Sequence, residues 1–304
     1  MMKMSIYKEY HANQKINLIG KYKVLAFALA ALLLASCSKD DSHNTPHPDK
    51  GAVVITTDWA SALSAADIPT TYYVDIDGKA VQTNQATACY PYLQEPGSHD
   101  LLVYNTPKGM EQNGEIATVN PLPDGTLEPM PEYLFSATAQ LQVVKDDTLR
   151  VTVPMNRLLC PIELNLSMNG GSIDKIEQIT ATLSGITPSV NMRSGERGGE
   201  SSVASLRVQT GQNRSAARTE TSVQLKCRMP GVSTTERQIL TVTLTMQGGQ
   251  QSILTSDLTE QLKNLNTDMK PIELDAAIEI PQEGIFTGSI KDWTEVKGDD
   301  IEAN

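Results

Sequence analysis

From Arg237 the chain reads RQILTVTLTMQGG. Leu240, Val242, Leu244 and Met246 fall on one face of an extended backbone, whereas a helix of 3.6 residues per turn would scatter them. Such a segment is a strand with one face toward a core. Gly248-Gly249 then turns it into QQSILTS. The same period recurs in the second half as CPIELNLSM (160–168), QITATLSGI (178–186), SVASLRVQT (202–210), SVQLKCRM and KPIELDAAIEI. In the first half GAVVITTDW (51–59), TTYYVDIDGKAV, EPGSHDLLVYNTP, IATVN, PEYLFSATAQLQVV and TLRVTVPM continue it. Gly, Pro and Asp punctuate these runs. Asp77-Gly78 between two alternating runs predicts a tight hairpin, because a type I′ turn needs positive φ at both central residues.

Many short strands at regular spacing predict an all-β protein built from β-sandwiches. One segment breaks the period. In DLTEQLKNLN (257–266), Leu258, Leu262 and Leu265 lie at i, i+4 and i+7, and Asp257 with Glu260 has the spacing of a capping box. A short amphipathic helix is expected there, packed on a sheet. Pro154 interrupts one strand just before NRLLCPIEL opens another, which places a domain seam near Met155–Leu158. The expected division is an N-terminal sandwich over 51–156, a C-terminal sandwich over 157–295 and an acidic tail over 296–304.

The first fifty residues follow another logic. Lys21-Tyr22-Lys23 precedes twelve apolar or small residues, Val24 to Ala35. A bilayer's hydrocarbon takes about 20 residues to span, so this run is too short, but it has the charged and apolar regions of a secretory signal. Leu34-Ala35-Ser36-Cys37 then resembles a bacterial lipobox. Cleavage between Ser36 and Cys37 would leave Cys37 acylated as the mature N-terminus, with residues 1–36 removed. Lys39, Asp40 and Asp41 resemble the surface-export signal of Bacteroidota-type lipoproteins. Residues 37–50 lack apolar periodicity and read as a flexible tether.

The formal charge is −11, and without residues 1–36 it is −15. Such a surface repels phosphate backbones, so no nucleic-acid partner is expected. Aromatics make up 5% of the chain, few for a protein that stacks bases or sugars. Past the signal the histidines are His43, His47 and His99; two lie in the tether, and His99 has no nucleophile motif to serve. Cys89, Cys160 and Cys227 are widely spaced with no C-x-x-C, so zinc is not expected. Cys160 and Cys227 each lie in an apolar strand and suit packing, while a bridge between them stays open. Asp75 to Gly78 lacks the position-12 Glu of a calcium loop, which here is Ala86. Arg193 to Ser201, RSGERGGES, is Gly-rich without a P-loop Lys and reads as an exposed, mobile loop. No cofactor, metal or catalytic set is expected, and no small-molecule substrate.

GAVVITTDW after a short stalk, EPGSHDLLVYNTP, MPEYLFSA, VPMNRLLCPIELNL, ATLSGI and SDLTEQLKNLNT, in that order, resemble the fimbrial-anchor branch of the Bacteroidota fimbrillin superfamily, the FimB/Mfa-type minor subunits. The resemblance runs through nearly all of Gly51 to Trp293. It implies two tandem transthyretin-like (Greek-key) β-sandwich domains, held at the outer membrane by lipidated Cys37. The role it implies is non-enzymatic: anchoring a fimbrial shaft, with shaft or minor pilin subunits docked by β-augmentation. Shaft subunits in these families lose a leading strand to an Arg-directed protease. Here Lys50, not an arginine, precedes the first strand, which suits an anchor that keeps it. The competing reading is a surface lipoprotein that binds glycans or other ligands beside a nutrient importer; against it, Trp59 and Trp293 sit in patterns that face a core.

Overall fold

A computed structural model describes residues 49–170, 173–215, 218–280 and 287–296. The signal segment, Ser36, Cys37, Lys39, Asp40, Asp41 and most of the tail lie outside these residues. Among the described residues the first half contains ten strands: β1 (Ala52–Asp58), β2 (Tyr72–Ile76), β3 (Lys79–Thr83), β4 (Thr87–Cys89), β5 (Gly97–Tyr104), β6 (Met110–Asn113), β7 (Ile116–Val119), β8 (Phe135–Val143), β9 (Thr148–Pro154) and β10 (Asn156–Arg157). Eight of them form a sheet of order β4-β1-β9 and another of order β10-β8-β5-β2-β3, while β6 and β7 pair as a hairpin. The β2–β3 hairpin turns where expected, with Asp77 and Gly78 at φ 52° and 83°. Asp75 Oδ1 accepts the Gly78 N–H at 2.7 Å and closes the turn.

The second half contains β11 (Cys160–Gly170), β12 (Ile176–Thr187), β13 (Ser189–Asn191), β14 (Arg197–Gly198), β15 (Ser202–Ser205), β16 (Arg207–Ser215), β17 (Arg218–Met229), β18 (Gly231–Val232), β19 (Ile239–Met246), β20 (Gln251–Asp257), the single-turn helix α1 (Thr259–Leu262), β21 (Ile272–Ile280), β22 (Thr287–Ser289) and β23 (Thr294–Glu295). Its two main sheets run β16-β17-β11-β21-β23 and β15-β12-β19-β20-β22. The inward residues of both join one core. Ile162, Leu164, Leu166 and Met168 of β11 share it with Leu240, Val242 and Leu244 of β19. This is the all-β sandwich class that the alternation predicts, and each fully buried aliphatic side chain contributes about 1.5–3 kcal/mol.

By internal contacts the chain divides into a small unit, residues up to Val54 with Pro91–Gly97 and Gln142–Arg150, and a large unit holding the rest. Within the small unit, Gly51 and Gln94 exchange backbone hydrogen bonds at 2.9 Å, and Lys50 pairs with Glu95 at 2.8 Å. Within the large unit, the β6–β7 hairpin pairs with β13, giving a four-stranded sheet β14-β13-β7-β6. Val119 and Leu127 belong to the core of the second-half sandwich.

Three local expectations are corrected. The helix predicted over 257–266 is α-helical only at Thr259–Leu262. Its capping box does not form, because Asp257 Oδ1 is taken by the N–H and hydroxyl of Thr259 and Glu260 pairs with Lys263 at 3.0 Å. Leu258, Leu262 and Leu265 are nevertheless fully buried, so the spacing reports the buried face and overstates the helix. The run SVASLRVQT is two strands, since the Leu206 N–H bonds to Ala181 O at 2.9 Å as the chain passes from one sheet to the other. The loop 193–201 is tied down: Arg197 lies opposite Val190 in the β13–β14 pairing, and Arg193 Nε donates to Glu115 Oε1 at 2.6 Å.

Candidate functional site

An edge where hydrogen-bonding groups meet no neighbour is where another chain adds a strand. In the second-half sandwich β11 pairs antiparallel with β17 from Cys160↔Met229 to Asn169↔Glu220. On its other side β11 runs parallel to β21, from Ile162↔Ile272 to Gly170↔Ile280. Beyond β21 stands β23, which pairs with Leu274 and Asp275 alone. Ala276–Ile280 therefore has one hydrogen-bonded neighbour strand among the described residues. Ala276, Ile278 and Ile280 are buried while Asp275, Ala277 and Glu279 are exposed, so this stretch offers backbone groups beside a row of core side chains. On the opposite sheet β20 is flanked by β22, parallel and paired through only three residues, Ile253–Thr255.

The sequence's chemical candidates go elsewhere. His99 Nδ1 lies 2.5 Å from Asp77 Oδ2, and Asp77 Oδ1 accepts the Asp100 N–H at 2.9 Å. The His99 hydrogen bond, with that N–H, holds the Asp77 carboxyl below its ordinary value. The pair braces the β2–β3 turn against β5. Cys160 and Cys227 are free thiols. They sit two positions out of register, since Cys227 faces Ile162 and Cys160 faces Met229. Burial pushes both up to about 12, so neither is a thiolate nucleophile near neutral pH. Trp59 meets Tyr72 and Phe135 edge-on, with ring centroids 5.7 and 5.4 Å apart. Trp293 Nε1 donates to Ser256 Oγ at 2.8 Å. Both indoles are half-buried and packed, Trp293 against the second-half core, although neither lies in the strand that its pattern predicts. Among the described residues no group of three or more His, Cys, Asp or Glu is placed to hold a metal, and no helix is long and apolar enough to cross a membrane.

One constellation is assembled only by the fold. Tyr133 is covered by the Arg228 guanidinium 3.5 Å from its ring centre, with Arg157 5.7 Å away. Arg157, Arg193 and Arg197 line a cleft together with Met192 and Met269. Arg193 and Arg197 lie four positions apart in the Gly-rich stretch 193–201, whereas Arg157 lies 36 positions earlier on another strand, so only the folded arrangement brings it to them.

The family model for the Fimbrillin-A associated anchor proteins Mfa1 and Mfa2 matches residues 105–298. No curated protein matches the chain. Among solved structures, a candidate adhesin from Bacteroides ovatus is similar with a TM-score of 0.55 at 16% identity, covering 82% of this chain and 95% of its own. A candidate adhesin from Bacteroides thetaiotaomicron has the same TM-score at 9% identity, covering 77% and 93%. The fimbrial anchor protein Mfa2 from Porphyromonas gingivalis gives 0.48 at 12% identity, covering 75% and 91%. At these identities the first two likenesses are likenesses of fold.

Proposed function

The chain belongs to the family of Fimbrillin-A associated anchor proteins Mfa1 and Mfa2, and from that premise we propose that it is a non-enzymatic surface lipoprotein that anchors a fimbria. Cys37 carries the lipid, cleavage falls between Ser36 and Cys37, and Lys39, Asp40 and Asp41 direct export to the outer face of the outer membrane. A multiply acylated cysteine anchors durably, since each buried methylene contributes about 0.8 kcal/mol. The body acts as two sandwich domains, 51–156 and 157–295, with the β6–β7 hairpin of the first completing a sheet of the second.

The partner is a fimbrial subunit that adds a strand. The observation that supports this mode is the β21 edge, where Ala276–Ile280 has a single neighbour strand among the described residues. An incoming strand of alternating apolar residues would continue the ladder and extend the core beside Ile278 and Ile280.

A photo-crosslinking residue at exposed Ala277, in cells that make fimbriae, tests the docking. Crosslinks to a pilin subunit are expected. Fimbriated cells that yield crosslinks to no fimbrial protein would refute docking at this edge.

A further inference from the structure

Arg157, Arg193 and Arg197 converge on a cleft of about 390 Å³, and their charges are balanced unequally. Arg193 is neutralised by Glu115. Arg157 is 7% exposed. One of its nitrogens, Nη2, donates to the Met269 carbonyl, while Nε and Nη1 are shielded from solvent and have no hydrogen-bond partner among the described residues. Arg197 donates from Nε to Pro230 O at 2.7 Å, from Nη1 to Gly195 O and from Nη2 to Met269 Sδ at 3.1 Å. Every one of these partners is neutral. Among the described residues no carboxylate forms an ion pair with Arg157 or Arg197.

Keeping the buried Arg157 guanidinium and the partly buried Arg197 guanidinium against carbonyls, a thioether and, for Arg157, the Tyr133 ring is unfavourable, because neutral groups do not replace a counter-charge where water is scarce. Holding the Met269 segment would require only a neutral donor. Apart from the Tyr133 ring near Arg157, nothing described in the structure calls for the positive charge, and it sits in a chain that is strongly acidic overall. The remaining walls argue for an organic ligand over a bare inorganic ion: Ala137, Met192 and Met269 present carbon surface, and exposed Thr138 and Ser194 supply neutral polar groups at the rim. The volume falls within the range of small-molecule pockets, roughly 300–1,000 Å³.

We propose that this cleft binds a small organic carboxylate, its charged end toward the Arg157 and Arg197 guanidiniums and its carbon frame against Met192 and Met269. Guanidinium is the side chain best matched to a planar carboxylate. The site is independent of the β21 edge and does not rest on the anchoring role.

The test uses the full chain purified in neutral detergent, titrated calorimetrically at constant ionic strength with galacturonate, with galactose as the uncharged counterpart and with sulfate as a competing oxyanion. Saturable binding of galacturonate is expected, with none by galactose and weaker binding by sulfate. Arg157→Gln and Arg197→Gln should each weaken binding by about tenfold or more. Arg193→Gln, at a half-exposed position whose loss frees the Glu115 charge, should weaken it too and serves if the buried variants do not fold. No saturable carboxylate binding, equal binding by galactose, tighter binding by sulfate, or affinity unchanged in folded variants would each overturn the assignment.

Discussion

Gly170 and Ile280 face each other at the end of the parallel β11–β21 pair, so closely that a Cβ on Gly170 would overlap the Ile280 carbonyl. Gly170 also sits at φ 135°, a region that side-chain-bearing residues rarely enter. The glycine thus lets a strand from early in the second half lie alongside one that arrives more than a hundred residues later.

Gly170→Ala should therefore lower stability by about 1–3 kcal/mol through backbone strain and the forced separation of the strands. Chemical denaturation checks this. A loss well under 1 kcal/mol would mean that the strand ends part without cost.

Asp77→Asn should remove an acid-side contribution to stability. The folded carboxyl titrates below its ordinary value of 3.8, chiefly through the hydrogen bond from His99. A depressed carboxyl stabilises the fold above the unfolded value and loses that contribution as pH falls through the folded one. The wild type should thus be the more stable near neutrality, and the two midpoints should converge below about pH 4. Asparagine tolerates the positive φ at this position, so the turn itself should survive.

Among Cys89, Cys160 and Cys227, only Cys89 is exposed. Iodoacetamide at mildly alkaline pH should label Cys89 in the folded protein and reach the other two only on unfolding. Mass mapping reads this directly, and early labelling at Cys227 would contradict the burial that raises its pKa to about 12.

The Arg228 guanidinium over the Tyr133 ring predicts an interaction measurable in a double-mutant cycle. Tyr133→Leu and Arg228→Met, singly and together, should give a coupling of about 1–2 kcal/mol. Additive losses would assign Arg228 to its hydrogen bond with Pro131 O, 2.6 Å.

Cys37→Ala should abolish palmitate labelling in growing cells and move the protein from the membrane to the soluble fraction. Retained labelling would place the lipid elsewhere.

Local physics made much of the molecule legible. The alternation in RQILTVTLTM predicted both β19 and the burial of Leu240, Val242, Leu244 and Met246. Asp77-Gly78 predicted its turn through the φ values that the turn demands. The three leucines of 258–265 predicted a buried face, although only Leu262 lies within the helical turn and Leu258 and Leu265 flank it. Where the reading failed, the causes were both local and distant: Thr259 and Lys263 take up the Asp257 and Glu260 carboxylates, Glu115 holds Arg193 of the 193–201 loop, and Leu206 bonds to Ala181 where one run becomes two strands.

What the chain determines by itself is which segments extend and which face of each turns inward, because a period of two is a property of covalent geometry and side-chain polarity. It also carries the lipobox-like run ending at Cys37, a motif that folding does not need to assemble. Only the tertiary structure decided partners: β7 beside β13, β11 parallel to β21, and Arg157 and Arg197 around Met269. Every half-buried strand has the same alternating pattern, so pairing depends on competition among many similar edges, and charge clusters follow from whichever pairing wins.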